Sequence, residues 1–143
     1  MVIESRTSMV TNPGVAGYGL WIHDTRTGEE WCDGRVIPGE QTSNTAEYRA
    51  LIAALQIGHR HCPAGAVEIV LVSDVVIKQM LGTYGVSASN PELRLLRDQA
   101  LNRAQMLPQV VLTKGTRDDT GRAYQEARQA LSVDLTDSLL KDE

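Results

Sequence analysis

The segment Val67–Val72, VEIVLV, is a nearly continuous apolar run of strand length. A run so short and so apolar suits a strand covered on both faces, the condition of an inner parallel strand in an α/β sheet. Upstream, Tyr48, Leu51, Ile52 and Leu55 recur at helical spacing. Their pattern predicts a helix with Asn44 as N-cap and Glu47 three residues on, as in a loose capping box, closed by Gly58 and Pro63. Downstream, Val75–Leu81 reads as a short helix ended by Gly82, and Pro91 opens a second helix over about 92–106 that Pro108 stops. Val110–Thr113 is a last strand and about 120–131 a last helix.

The N-terminal third reads differently. Met1–Thr7 alternates weakly, and Tyr18–His23 reads as a strand with Leu20 and Ile22 on one face. Asp24–Gly28 is a polar, glycine-terminated loop, after which Glu29–Ile37 returns with Trp31 and Val36. Three strands joined by short turns and followed by a βαβ unit predict an α/β fold. It is a mixed five-stranded sheet, a three-stranded antiparallel meander plus parallel strands, flanked by helices. Residues 1–131 form the expected single domain, and 132–143 an acidic, flexible tail.

A chain of 143 residues, 42% hydrophobic and 22% charged, has the material for one domain core, and its composition excludes disorder as the main description. With no Phe, that core is aliphatic. The net charge of −4 gives no general attraction to nucleic acid, so such binding requires a local basic patch. Cys32 and Cys62 form no CxxC pair and read as reduced thiols. The start carries no apolar h-region, and no apolar run approaches the roughly 18–20 residues of a membrane span. A cytoplasmic protein with no membrane contact is expected.

Three places carry candidate chemistry. Asn12-Pro13-Gly14, followed by Ala16-Gly17-Tyr18-Gly19, lies between the first two strands. Glycines there let a backbone approach a ligand, and the Asn12 amide suits a sugar or phosphate; a plain Pro-Gly turn is the alternative. Glu47, at a helix start, is by itself a capping acid near the positive end of the dipole. Asp74 ends the buried strand, where ligand sites gather on open α/β sheets, and alternatively caps the helix that follows.

In this order the segments NPGVAGYG, NTAEYRALIAAL, VSDVVIKQMLG and PELRLLRDQA resemble the compact type I branch of the ribonuclease H family, over about residues 1–131. The resemblance implies a mixed sheet carrying four clustered carboxylates, which hold two divalent metal ions and cut the RNA strand of an RNA–DNA hybrid. Two of those acid positions fall on Glu47 and Asp74. The other two fall on Arg6, six residues before Asn12, and on Tyr124, beside Ala123. Paired metals about 3.5–4 Å apart need several hard oxygen ligands. Arg6 instead puts a permanent positive charge where a cation would sit, free to pair with Glu47 or Asp74. Tyr124 removes a ligand.

The resemblance further implies that Asn12, Gly14 and Asn44 touch a nucleic-acid backbone. Arg94, Arg97 and Arg103 read either as a solvated face or as part of a groove. The expectation is a ribonuclease H-like protein with a degenerate active site and no cofactor, binding an RNA–DNA hybrid, structured nucleic acid or a protein partner. The alternative is an active Mg- or Mn-dependent enzyme with a rearranged acid set. In it Glu4, on the same strand face as Arg6, and Asp118 or Asp119, before the last helix, join Glu47 and Asp74.

Overall fold

The fold is taken from a computed structural model, which describes residues 1–141. Strand β1 (Val2–Met9) pairs antiparallel with β2 (Gly14–His23), which pairs antiparallel with β3 (Glu30–Gln41). On its other side β1 pairs parallel with β4 (Ala66–Leu71), and β4 parallel with β5 (Gln109–Lys114). The spatial order is therefore β3-β2-β1-β4-β5, the mixed five-stranded sheet expected from the sequence. Residues 67–71 of VEIVLV lie in this inner parallel strand, but burial alternates: Val67, Ile69 and Leu71 are buried while Glu68 and Val70 are half-buried, so only one face is fully covered. Helices α1 (Ser43–His61), α2 (Asp74–Met80), α3 (Pro91–Gln105) and α4 (Gly121–Lys141) complete the domain.

Side chains alternate across β1. Ile3 and its partner Ile22 face α1 and join one aliphatic core with Leu20, Ile69, Tyr48, Leu51 and Leu96. Arg6 lies opposite Gly19, on the face covered by α4. There the packing is backbone against backbone. A Cβ on Gly19 would lie 2.0 Å from the Ala123 carbonyl oxygen and 2.5 Å from the Ala127 nitrogen. One on Gly34 would lie 2.7 Å from the Glu126 carbonyl oxygen. Buried Ala123 and Ala127 complete the close approach from the helix side.

Several boundaries differ from the sequence reading. The N-cap of α1 is Thr42, not Asn44: the Thr42 hydroxyl accepts from the Thr45 amide (3.2 Å), and the Thr45 hydroxyl accepts from the Thr42 amide (2.9 Å). A threonine pair thus closes the capping box, and Glu47 is left free of it. Gly58 does not end α1, which continues to His61; the missing side chain makes room for Val67. Ser73 caps α2, so Asp74 is the first helical residue rather than the cap. β3 extends to Gln41 through Pro38, which an edge strand tolerates.

The last helix does not stop near 131. It runs on to Lys141, through most of the segment expected as a flexible tail, because LSVDLTDSLLK contains neither Gly nor Pro. Residues 142–143 of that tail lie outside the described residues. Cys32 and Cys62 are both free thiols. Among the described residues no helix is long and apolar enough to cross a membrane.

The contact of α4 with β2 admits no extra atom at Gly19. Gly19→Ala is expected to destabilise the domain by about 1–3 kcal/mol or more through overpacking. Thermal unfolding followed by circular dichroism checks this, with a Tm lowered by several degrees as the expected result. An unchanged Tm would show that α4 can lift from the sheet without loss.

Candidate functional site

The C-terminal end of β1, the central strand, the start of α1 and the loop leading into α4 meet at one end of the sheet. Arg6 reaches into this junction and is 8% exposed. Its Nη1 donates to the hydroxyl of Thr120 (3.0 Å) and to the Arg117 carbonyl (3.2 Å), and its guanidinium carbon lies 4.6 Å from the centroid of the Tyr124 ring. Thr120 is fully buried and donates in turn to the Thr116 carbonyl (2.8 Å). The loop before α4 is therefore folded around the arginine. The sequence allowed Arg6 an ion pair with Glu47 or Asp74. The structure sends its hydrogen bonds elsewhere, because the α4 approach brings Thr120 and Tyr124 to its face of the strand.

Glu47 lies one turn inside α1 and is buried. The Thr7 hydroxyl donates to its Oε1 (2.7 Å), while Oε2 has no partner among the described residues. Burial pushes the Glu47 carboxyl above its ordinary range, against the opposing pull of the Thr7 hydrogen bond and the Arg6 charge. Burial likewise lowers the Arg6 pKa, and the charge of Glu47 works in the other direction.

Asp74 is exposed and held between two lysines, Lys114 Nζ at 3.2 Å and Lys78 Nζ at 3.6 Å. The Lys114 hydrogen bond is the main cause of a carboxyl held below its usual range. Glu4, two residues before Arg6, accepts from Arg122 Nη2 at 2.6 Å; the Arg122 guanidinium lies 4.7 Å from the Trp21 ring centroid. Asp118 and Asp119 are exposed on the loop before α4, where the Asp119 amide donates to the Thr116 hydroxyl (3.0 Å). Among the described residues, no group of three or more His, Cys, Asp or Glu side chains is placed to hold one metal ion. Glu47 and Asp74 are thus not joined by Glu4, Asp118 or Asp119.

Asn12 ties the β1–β2 loop to α1. Its Oδ1 accepts from the Ser43 amide (3.2 Å), and its Nδ2 donates to the Ser43 hydroxyl (2.7 Å). Gly14 opens β2, where a Cβ would lie 2.2 Å from the Thr11 hydroxyl. Asn44 is half-buried in the first turn of α1. Arg94 and Arg103 are exposed on α3, and Arg97 pairs with Asp98 at 3.2 Å.

Arg6, Thr7, Ser8, Arg117, Tyr124 and Gln125 are among the residues lining a cleft of about 580 Å3 at this end. Arg128 also lies 5.9 Å from the Tyr124 ring centroid. Sequence reasoning singled out neither Arg117 nor Arg128. The signal was the arginine content of the segment around Tyr124, but spacing alone does not say which helix face a distant strand will meet.

No protein-family model matches the chain. A stretch of 104 residues is 36% identical to a curated relative, the bifunctional protein Rv2228c of Mycobacterium tuberculosis; it covers 70% of this chain and 27% of that protein. The chain thus spans only about a quarter of the curated relatives it matches. Among solved structures, the N-terminal ribonuclease H domain of Rv2228c superposes with a TM-score of 0.83 at 28% identity, covering 96% of each chain. Ribonuclease H1 of the halophilic archaeon Halobacterium salinarum gives 0.82 at 29% identity, over 92% of this chain and 96% of that one. LC11 ribonuclease H1, solved in complex with an RNA/DNA hybrid, gives 0.83 at 29% identity, over 94% of this chain and 98% of that one. These likenesses run along nearly the whole chain, which has the fold of the ribonuclease H family.

Proposed function

We propose that this protein holds nucleic acid, an RNA–DNA hybrid above all, without the metal-dependent cleavage that the family resemblance implies. The observation that carries this reading is Arg6: a buried guanidinium, fixed by Thr120 and Tyr124, at a position the resemblance assigns to a metal-binding acid. A divalent cation brought to this end would face a charge that does not titrate away. The remaining donors fit two such ions poorly. Asp74 is engaged by Lys114 and Lys78, Glu4 by Arg122 through Oε2 alone, and burial favours the neutral form of Glu47.

Support for a nucleic-acid ligand comes from the likeness to LC11 ribonuclease H1 and from the Asn12–Ser43 link, which presents an exposed polar loop at the start of α1. A hybrid can be held by shape and backbone contacts alone. A protein partner, the other occupant considered from the sequence, has no comparable support among these observations.

A labelled RNA–DNA hybrid incubated with Mg and then Mn is expected to stay intact, as with a Glu47→Gln control, while fluorescence anisotropy reports binding. The double substitution Arg6→Asp and Tyr124→Asp is expected to create metal affinity. An ion at ten times its Kd would then stabilise the variant by about 1.4 kcal/mol in thermal unfolding and leave the parent chain unmoved. Cleavage by the parent chain that Glu47→Gln abolishes would overturn the reading.

Glu47 also makes a pH-dependent contribution. Its folded carboxyl binds a proton more tightly than the unfolded one, whose ordinary value is 4.5. Its contribution is therefore most favourable below that value and is lost as pH rises from there through the raised folded pKa. Glu47→Gln keeps an acceptor for Thr7 and removes this loss. The Tm of the variant relative to the parent is expected to rise from pH 4.5 towards neutrality. A relative Tm that falls over that range would mean that Arg6 stabilises the charged carboxylate more than burial opposes it.

A further inference from the structure

The hydrogen bonds of Arg6 leave half of its guanidinium uncommitted. Both bonds come from Nη1; the N–H groups on Nε and Nη2 make none among the described residues, although the residue is 8% exposed and lines the cleft. Those two nitrogens form the side edge of the arginine fork, two parallel donors whose spacing matches two oxygens of one oxyanion. Tyr124 holds the cation by its ring face, an attraction that uses no N–H donor.

The surroundings are positive as well. Arg117 lines the same cleft, and its charge opposes that of Arg6. Arg128 approaches the same tyrosine ring. Ser8, two residues after Arg6 on the same strand face, also lines the cleft, and α4, 21 residues long, starts there with Gly121. A helix start adds positive potential there. The opposing charges are Asp118, which lines the cleft, and Glu47, which acts on Arg6 from α1.

We propose that this cleft binds a phosphate group of the nucleic-acid backbone directly, with Nε and Nη2 of Arg6 forking onto two of its oxygens and Arg117 supplying the second positive charge. The inference rests on the nucleic-acid reading above and deepens it: a guanidinium takes the phosphate at the end of the sheet where the family resemblance puts acids and metal ions.

The test uses the whole chain and two probes, inorganic phosphate and a short labelled RNA–DNA hybrid. In heteronuclear NMR, phosphate is expected to shift the Arg6 Nε–H resonance saturably. Arg117→Gln, at an exposed position that spares the fold, is expected to weaken phosphate binding roughly three- to tenfold. Arg6→Lys, which keeps the charge and loses the fork, is expected to weaken it at least as much. With the hybrid, Arg117→Gln is expected to lower affinity and to reduce the salt-dependence slope by about one. No saturable shift with phosphate would overturn the anion site, whatever the hybrid does. Hybrid binding with an unchanged salt slope in Arg117→Gln would overturn the backbone phosphate as its ligand. Saturable phosphate binding with no hybrid binding by the parent chain would uphold the anion site and place the failure in the nucleic-acid reading.

Discussion

The near contact between α4 and the meander decides what Arg6 can do. With glycines at positions 19 and 34 the helix lies on the sheet backbone, and Arg6, opposite Gly19, extends across a strand that offers it no side chain. What it meets is the helix and the loop before it. A buried guanidinium without partners would cost several kcal/mol in desolvation. Hydrogen bonds from a charged donor return roughly 1.5–3 kcal/mol each, and an aromatic face about 0.5–2 kcal/mol more. Thr120, the Arg117 carbonyl and Tyr124 thus offset the burial of a cation to which no carboxylate among the described residues is bonded.

That arrangement goes with a dispersal of acids at the same end of the sheet. A pair of divalent ions is held by carboxylates that repel one another until the ions arrive. Here each acid has a separate local solution. Glu4 is bound by an arginine that also covers Trp21, Asp74 lies between two lysines, and Glu47 is withdrawn behind Thr7. Among the described residues, Glu4 Oε1 and Glu47 Oε2 stay buried without a hydrogen-bond partner.

The fold was legible because its strongest signals are local and redundant. VEIVLV required an inner strand, although only its Val67, Ile69 and Leu71 face is fully buried, and the stripe from Tyr48 to Leu55 required a helix packed against the sheet. Boundaries were misread where two side chains compete for one backbone role. Thr42 with Thr45 outbids Asn44 with Glu47 because its two hydroxyls satisfy both ends of the capping box, and Ser73 precedes Asp74 in the same way. At the site, the identities of Arg6 and Tyr124 could be read from motif order. Their contact could not, because it joins residues more than a hundred positions apart through the docking of α4.

Arg6 and Tyr124 make sense as a pair. A carboxylate at position 124 facing Arg6 would accept both edge donors of the guanidinium in a bidentate ion pair and leave the cleft closed to any other anion. A tyrosine opposite an aspartate at position 6 would set a ring face, with its negative quadrupole, against a carboxylate. With both present, the ring holds the cation by its face and leaves the N–H groups of Nε and Nη2 unbonded among the described residues, beside a second arginine in an open cleft. On the reading proposed above, the two positions together convert a site that would attract cations into one that attracts anions, on a sheet and helix frame shared with relatives that superpose over nearly their whole length.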